Sequence, residues 1–221
     1  MKKKRVISVF LAVLTCLLIT GCGSSEPKKP TVEESYNALV TYATEGKYIE
    51  GWRVYQGTPE LAEYEDAKVY NEYCVAMRAY EAGGIGYAYD SLLNIEPVLD
   101  TEATIAAIET EIGGLNGIYK ADNGAGSYLY LIIENGKVGT ELIGYYDDQE
   151  LTYEESDLYS DIVKVTFTDG SQSLAVGRYS TIGAEVEANY IMYPDAEGCM
   201  LIKYESYEYD TFAGVYTKIS E

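Results

Sequence analysis

Beyond Leu115 the apolar residues of this chain recur with period two, in eight short runs separated by hairpin chemistry. The runs are GIYKA, SYLYLIIE, KVGTELIGYY, DIVKVTFT, SLAVGRYS, AEVEANYIMY, CMLIKYES and FAGVYTKI, starting at residues 117, 127, 137, 161, 173, 184, 199 and 212. Asn135-Gly136 and Asp169-Gly170 suit type I′ turns, and PDAEG from Pro194 suits a longer loop. A parallel crossover needs a dozen or more residues per connection, and these joints are too short for that. The pattern therefore predicts an antiparallel β-meander closed into a barrel or folded as a sandwich.

The preceding part of the chain carries a helical period instead. Thr31-Val-Glu-Glu34 reads as a capping box, and Tyr36, Leu39, Val40 and Ala43 then fall on one helix face. Gly46 ends that helix, and KYIEGWRVYQ reads as its antiparallel return. Thr58-Pro59 looks like an N-cap with proline at the first helical position. Ala67, Tyr70, Tyr73, Cys74, Met77 and Tyr80 form the next stripe, which Gly83 and Gly84 break. Asp100 is placed to cap a last helix bearing Ile105, Ile108 and Ile112. The fold class expected is α+β in two domains, helical hairpins over 33–112 and the antiparallel β-domain over 113–221.

Two resemblances go with this division. The stretches beginning at Tyr42 and Tyr80 share a tyrosine-to-glycine spacing at an offset of 38 residues. Segment 63–84, EYEDAKVYNEYCVAMRAYEAGG, resembles the tetratricopeptide-like units of bacterial surface lipoproteins, with Tyr64-x-Asp66-Ala67 opening a helix. The resemblance spans about 60 residues; Gly51 stands where that family has alanine, and the proline after the second helix is missing. Gly117-Ile-Tyr119 and Gly214-Val-Tyr216 bracket the β-domain and resemble the Gly-x-aromatic device of small lipocalin-like barrels. The lipocalin Thr-Asp-Tyr segment and C-terminal arginine are absent.

The chain opens with MKKKR, continues with an uncharged stretch from Val6 to Thr20, and reaches Ile19-Thr20-Gly21-Cys22 before turning polar. The uncharged stretch suits a secretory signal and is too short for a membrane span, which takes about 20 apolar residues. The four residues ending at Cys22 resemble the lipobox of bacterial lipoproteins. That resemblance implies a diacylglyceryl thioether on the Cys22 sulfur and cleavage between Gly21 and Cys22. One acyl chain holds a bilayer marginally and two hold it stably. The expected layout is a signal peptide over 1–21, a flexible Ser/Pro/Lys linker over 22–32, and a protein held on the extracytoplasmic face of the cell membrane.

Composition then narrows the function. The formal charge is −20, and cleavage would remove Lys2, Lys3, Lys4 and Arg5 with no acid, giving −24. Such a chain repels nucleic acid, which is excluded as a partner. It contains no histidine, so histidine-based zinc sites and Ser-His-Asp or Cys-His nucleophiles are excluded as well. Cys74 and Cys199 remain after processing; they could pair outside the cytoplasm, but buried free thiols fit equally. The 24 tyrosines offer sugar-stacking rings, yet tyrosine is also a good strand former. Trp52 is read as core.

The acidic loop with Asp147, Asp148 and Glu150 supplies hard oxygens of the kind calcium takes. Its spacing does not match an EF-hand loop, so no metal, cofactor or catalytic residue is assigned. Three functions follow: a non-catalytic binding or scaffolding lipoprotein with a protein partner at the cell surface, a small-molecule carrier with a barrel cavity, and an Asp/Glu-dependent hydrolase. Cys22→Ala is expected to leave the precursor uncut and release the folded part from membranes, as fractionation and intact mass would show. Normal cleavage with continued retention would overturn the lipobox reading.

Overall fold

The computed structural model describes residues 29–64, 66–124, 126–144, 151, 153–204 and 211–220. Gly21 and Cys22, with the signal segment before them, lie outside the described residues, as does most of the linker. Helix α1 (Val32–Thr44) buries Ser35, Leu39 and Ala43 and places Glu33 and Glu34 in its first turn. Carboxylates there favour the positive end of the helix dipole. Gly46 ends it in a left-handed conformation, φ 71°. Lys47 N–H then bonds the Tyr42 carbonyl at 2.8 Å and Gly46 N–H that of Ala43 at 3.3 Å, a Schellman closure.

Helix α2 (Tyr48–Gly57) returns along α1. Its Gly51 explains the departure from the tetratricopeptide pattern, because a methyl group there would stand 2.8 Å from Cys74 Sγ on the next helix. Thr58-Pro59 does open a helical segment with proline at its first position, a 3₁₀ turn, Pro59–Glu63. The Thr58 hydroxyl donates to Ser35 Oγ at 3.2 Å instead of capping a backbone N–H. Helix α3 (Ala67–Glu81) follows and buries Tyr73, Cys74, Ala76 and Met77.

Gly83 ends α3 as Gly46 ended α1, with φ 90° and Gly84 N–H bonded to the Ala79 carbonyl at 2.8 Å. Helices α4 (Ile85–Leu93) and α5 (Thr101–Ile112) complete the helical part. Asp100 sits at the start of α5, yet makes no side-chain cap. Its carboxylate accepts from the Tyr73 hydroxyl, so the expected cap is a tie between α3 and α5.

A 3₁₀ turn, Gly113–Leu115, leads into the sheet. Strands β1 (Gly117–Asp122), β2 (Ser127–Glu134), β3 (Lys137–Gly144), β4 (Ser160–Thr166), β5 (Gln172–Ser180), β6 (Glu185–Pro194), β7 (Gly198–Lys203) and β8 (Gly214–Ser220) pair in sequence order, all antiparallel. β8 returns to β1, so the meander is a closed barrel and not a sandwich.

Asn135 and Gly136 both have positive φ, 50° and 78°, as a type I′ turn requires. The Asp169-Gly170 turn differs from its expectation. Only Gly170 is left-handed, φ 85°, while Asp169 accepts from Ser171 N–H at 2.9 Å and thus behaves as an Asx-turn residue.

The two Gly-x-Tyr segments do the same work at the two sides of the closing seam. Tyr119 and Tyr216 point inward, and each hydroxyl donates to the carbonyl four residues earlier, Leu115 at 2.6 Å and Phe212 at 2.9 Å. Gly117 lacks the Cβ that would lie 2.4 Å from the Ser220 carbonyl oxygen, which lets β8 close on β1.

The helices join the barrel through one buried cluster that runs from Leu39 and Tyr73 to Tyr119, Met192 and Tyr216. The α3–α4 turn makes the closest approach. β3 pairs with β4 over only Lys137–Asp161 and Val138–Ser160. Further along β4, Ile162 N–H reaches the Gly136 carbonyl and Lys164 N–H the Gly83 carbonyl, both at 2.7 Å. Lys137 bridges the same junction, 3.0 Å from Asp161 and 3.5 Å from Asp90 of α4. Burial works against its charge, but Asp161 and then Asp90 outweigh that and hold its pKa above the usual lysine value. Its contribution to stability is therefore present up to the ordinary lysine range and lost as pH rises through the raised value.

A Cβ at Gly84 would lie 2.8 Å from the Tyr179 ring, and one at Gly86 would lie 2.1 Å from the Gly136 carbonyl oxygen. Gly86→Ala should thus cost about 1–3 kcal/mol in denaturant unfolding through overpacking. Gly57→Ala, whose methyl meets nothing within 4 Å, should be neutral or stabilising. Equal effects from the two substitutions would contradict a packed junction.

Candidate functional site

A closed sheet has an inward and an outward face, and paired residues across strands share a face. Register puts Met192, Leu201 and Gly214 on one side, and Tyr193, Met200 and Val215 on the other. The first row points inward: Met192 and Leu201 are 1% exposed and join Tyr119, Tyr190, Cys199 and Tyr216 in the core. Alternation then requires polar residues outside, if that face is merely wet. Along one row they are replaced by apolar ones, with the exposed Thr217 the first polar residue after them on β8. Tyr193 is 46% exposed, Met200 37%, Ile202 46% and Val215 72%.

Tyr193, Met200 and Val215 are direct cross-strand partners, so they form one row across β6, β7 and β8 at roughly 4.8 Å per strand. Ile202 lies two residues along β7 from Met200, opposite Ile191. Ile191 itself is buried with Val163, Ala175 and Ala188 in a small outward cluster, so the exposed row begins where that cluster ends. Ile219, 54% exposed, lies beyond Thr217, at the bulge where β8 pairs with β1. The apolar area left in water is on the order of a few hundred Å², the size of the largest apolar patch on a typical monomer, which is often functional.

Beside the row lies an open groove of about 470 Å³, lined by Ala196, Glu197, Thr217, Lys218, Ile219 and Ser220. Its wall is fixed by backbone bonds. Lys218 N–H donates to the Glu197 carbonyl at 2.9 Å, and Glu197 and Gly198 N–H both donate to Asp195 Oδ1 at 2.8 Å. Gly198 permits this, because a Cβ there would lie 2.0 Å from the Tyr216 carbonyl oxygen. Lys218 shares the inward parity of its partner Tyr119, and its ammonium lies 5.8 Å from that ring's centroid. Among the described residues the Glu197 carboxylate makes no hydrogen bond or ion pair. The groove therefore carries both charge signs, Glu197 and Lys218, beside the apolar Ala196 and Ile219 and the hydroxyls of Thr217 and Ser220.

The residues singled out in the sequence fall elsewhere. Asp147, Asp148 and Glu150 lie outside the described residues. The neighbouring Glu154 and Asp157 form a reciprocal cap on the 3₁₀ turn Glu155–Asp157. Among the described residues, no cluster of three or more acidic or cysteine side chains is arranged to hold a metal. Trp52 is partly buried, with the Arg78 guanidinium 5.3 Å from its ring.

Several tyrosine hydroxyls are engaged internally, including Tyr36 to Asp66, Tyr73 to Asp100 and Tyr89 to Glu109. Three further clefts lined by described residues lie among the helices or where they meet the barrel. None of the four is lined by Tyr119, Tyr190, Met192, Cys199, Leu201 or Tyr216. No helix among the described residues is long and apolar enough to cross a membrane.

No protein-family model matches the chain, and no curated protein or solved structure is similar to it.

Cys74 and Cys199 are free and buried, and burial pushes both thiols up to about 12. A thiol protonated at neutral pH and hidden from solvent is a poor nucleophile. Ellman's reagent should label neither in the native protein and both once the chain is denatured. Rapid labelling of Cys199 in the native state would show that the barrel interior opens.

Proposed function

We propose that this protein is a lipid-anchored, extracytoplasmic binding protein without catalytic activity, which holds a partner protein at the cell surface through the outer wall of β6–β8. The observation that carries the reading is the exposed row Tyr193–Met200–Val215 with Ile202 and its adjoining groove. Those residues have no structural need to be apolar: the inward faces of the same strands already supply the core. The lipobox resemblance at Cys22 supports the anchor, and the linker over 22–32 supports a body free to meet a neighbour. The barrel is compatible with a carrier, but large side chains such as Tyr119, Tyr190, Met192 and Tyr216 occupy the inward face.

A photo-reactive side chain placed at Val215 tests the reading in living cells. It should give one dominant cross-linked product that Tyr193→Asp removes, while the same probe at Ile182 should not. Ile182 is 97% exposed in the turn between β5 and β6 and serves as the exposure control. The same products from both positions would overturn the proposal. A small molecule co-purifying with the protein and lost on denaturation would favour the carrier instead.

A further inference from the structure

The β2–β3 turn is wedged between two helices. A Cβ at Gly136 would lie 2.8 Å from Gly86 Cα on α4 and 3.1 Å from Ile112 Cδ1 on α5. Tyr89 stands about one helical turn on from Gly86, and Glu109 about one turn before Ile112. Their side chains meet, the Tyr89 hydroxyl donating to Glu109 Oε1 at 3.0 Å. Beside this tie remains a cleft of about 350 Å³, lined by Tyr89, Glu109, Ile112, Gly113, Asn116 and Asn135. Tyr89 and Ile112 are buried and give it a fixed, largely apolar floor. We propose that this cleft binds a neutral sugar residue through Glu109, Asn116 and Asn135, independently of the β6–β8 wall.

Three polar side chains at the cleft carry hydrogen-bonding capacity that the fold does not use. Asn116 Oδ1 accepts from Asn135 N–H at 3.0 Å, which leaves the Asn116 amide donors without a protein acceptor among the described residues. The Asn135 side chain makes no hydrogen bond among the described residues, and Glu109 uses one oxygen of two. Gly113 is unconstrained as well. Its φ is −60°, which any residue adopts, and a Cβ there would meet nothing within 4 Å. Gly114 beside it is as free of contact but does not line the cleft. Neither backbone nor packing requires glycine at 113, and a large side chain at this lining position would fill part of the cleft.

The groups present select the ligand class. Glu109 is the one charged residue among those lining the cleft, which disfavours phosphates, carboxylates and other anions. An ammonium would satisfy Glu109 but offers no acceptor to the amide donors of Asn116 and Asn135. An apolar ligand would leave the three polar groups unpaired, at about 1–3 kcal/mol for each one buried. A hydroxyl both donates and accepts, so neighbouring sugar hydroxyls can give to Glu109 and take from an asparagine amide. A rigid ring presents several of them together and loses little freedom on binding. The volume falls in the range of small-molecule sites, about 300–1,000 Å³, and the place where helices meet barrel suits one.

The test uses the full-length lipoprotein in nanodiscs of neutral lipid, isotope-labelled so that the Asn116 and Asn135 side-chain amides report. Glucose, galactose and N-acetylglucosamine are titrated singly, with methylammonium as a cationic probe and N-acetylglycinamide as an amide probe. At least one sugar should shift both amide signals saturably. Glu109→Gln keeps an acceptor for Tyr89 but loses the charge, and should weaken that sugar about tenfold. Gly113→Phe should weaken it by filling the cleft, and Val215→Glu should leave it unchanged, so this site and the wall stand or fall separately.

No amide shift from any of the three sugars would overturn the proposal. A sugar whose binding survives both cleft variants would do the same, because its site would lie elsewhere on the molecule. If Gly113→Phe does not fold, Glu109→Gln alone decides. Methylammonium shifting the amides where the sugars do not would assign the cleft to a cation, and N-acetylglycinamide doing so would assign it to a peptide. Either result would replace the sugar.

Discussion

The bond from Lys164 N–H to the Gly83 carbonyl, 2.7 Å long, is the point on which helices and barrel depend together. β4 outruns its partner β3, so past Asp161 its edge would present unpaired backbone N–H groups. A buried donor left without an acceptor costs about 1–3 kcal/mol. The protein meets that need with one carbonyl from the β2–β3 turn and one from the α3–α4 turn. The helix closure is thus also the end of a sheet ladder. Gly83 needs its left-handed conformation to end α3, and the same conformation aims its carbonyl at β4. The helices complete the barrel, which they could not do from the end of a flexible tether.

That dependence explains which parts of the architecture could be read in advance. Period-two alternation and the Asn135-Gly136 turn specify strands and their order, because each is local and each strand pairs with its neighbour in sequence. The Schellman closures at Gly46 and Gly83 can be read for the same reason. What local pattern does not contain is the identity of the group on the other side of a glycine. Gly83, Gly84 and Gly86 look like helix breakers in sequence, whereas in the fold they admit Lys164, Tyr179 and Gly136. Thr58 and Asp100 have the chemistry of helix caps, but Ser35 and Tyr73 lie close enough to claim their side chains. A long-range partner won over a local one in both cases.

The candidate site was hidden by a different rule. Cys199-Met200-Leu201-Ile202 and Tyr190-Ile191-Met192-Tyr193 are unbroken apolar runs. Read one strand at a time, they pass for good strand formers. A strand buried on both faces reads continuously apolar, but an outer barrel wall facing water should alternate. Once the barrel is closed, the outward half of each run needs an explanation. On β4, β5 and the first part of β6 that explanation is packing, since Val163, Ala175, Ala188 and Ile191 bury one another. On β7 and β8 the described residues offer no such cover.

An exposed apolar wall is a liability unless something limits what it binds, because sheet faces of this kind promote nonspecific association. The charge distribution supplies the limit. Cations among the described residues divide: Lys137 holds α4 to β4, Lys164 meets Glu111 at 2.5 Å, Arg78 lies over Trp52 and Lys120 sits 3.5 Å from the Tyr128 ring centroid, while Lys47, Arg53, Lys68, Arg178 and Lys203 are exposed. Carboxylates such as Glu197 are left facing water. The excess of carboxylates, 36 against 16 lysines and arginines, keeps the chain's net charge strongly negative. Copies of the chain therefore repel one another.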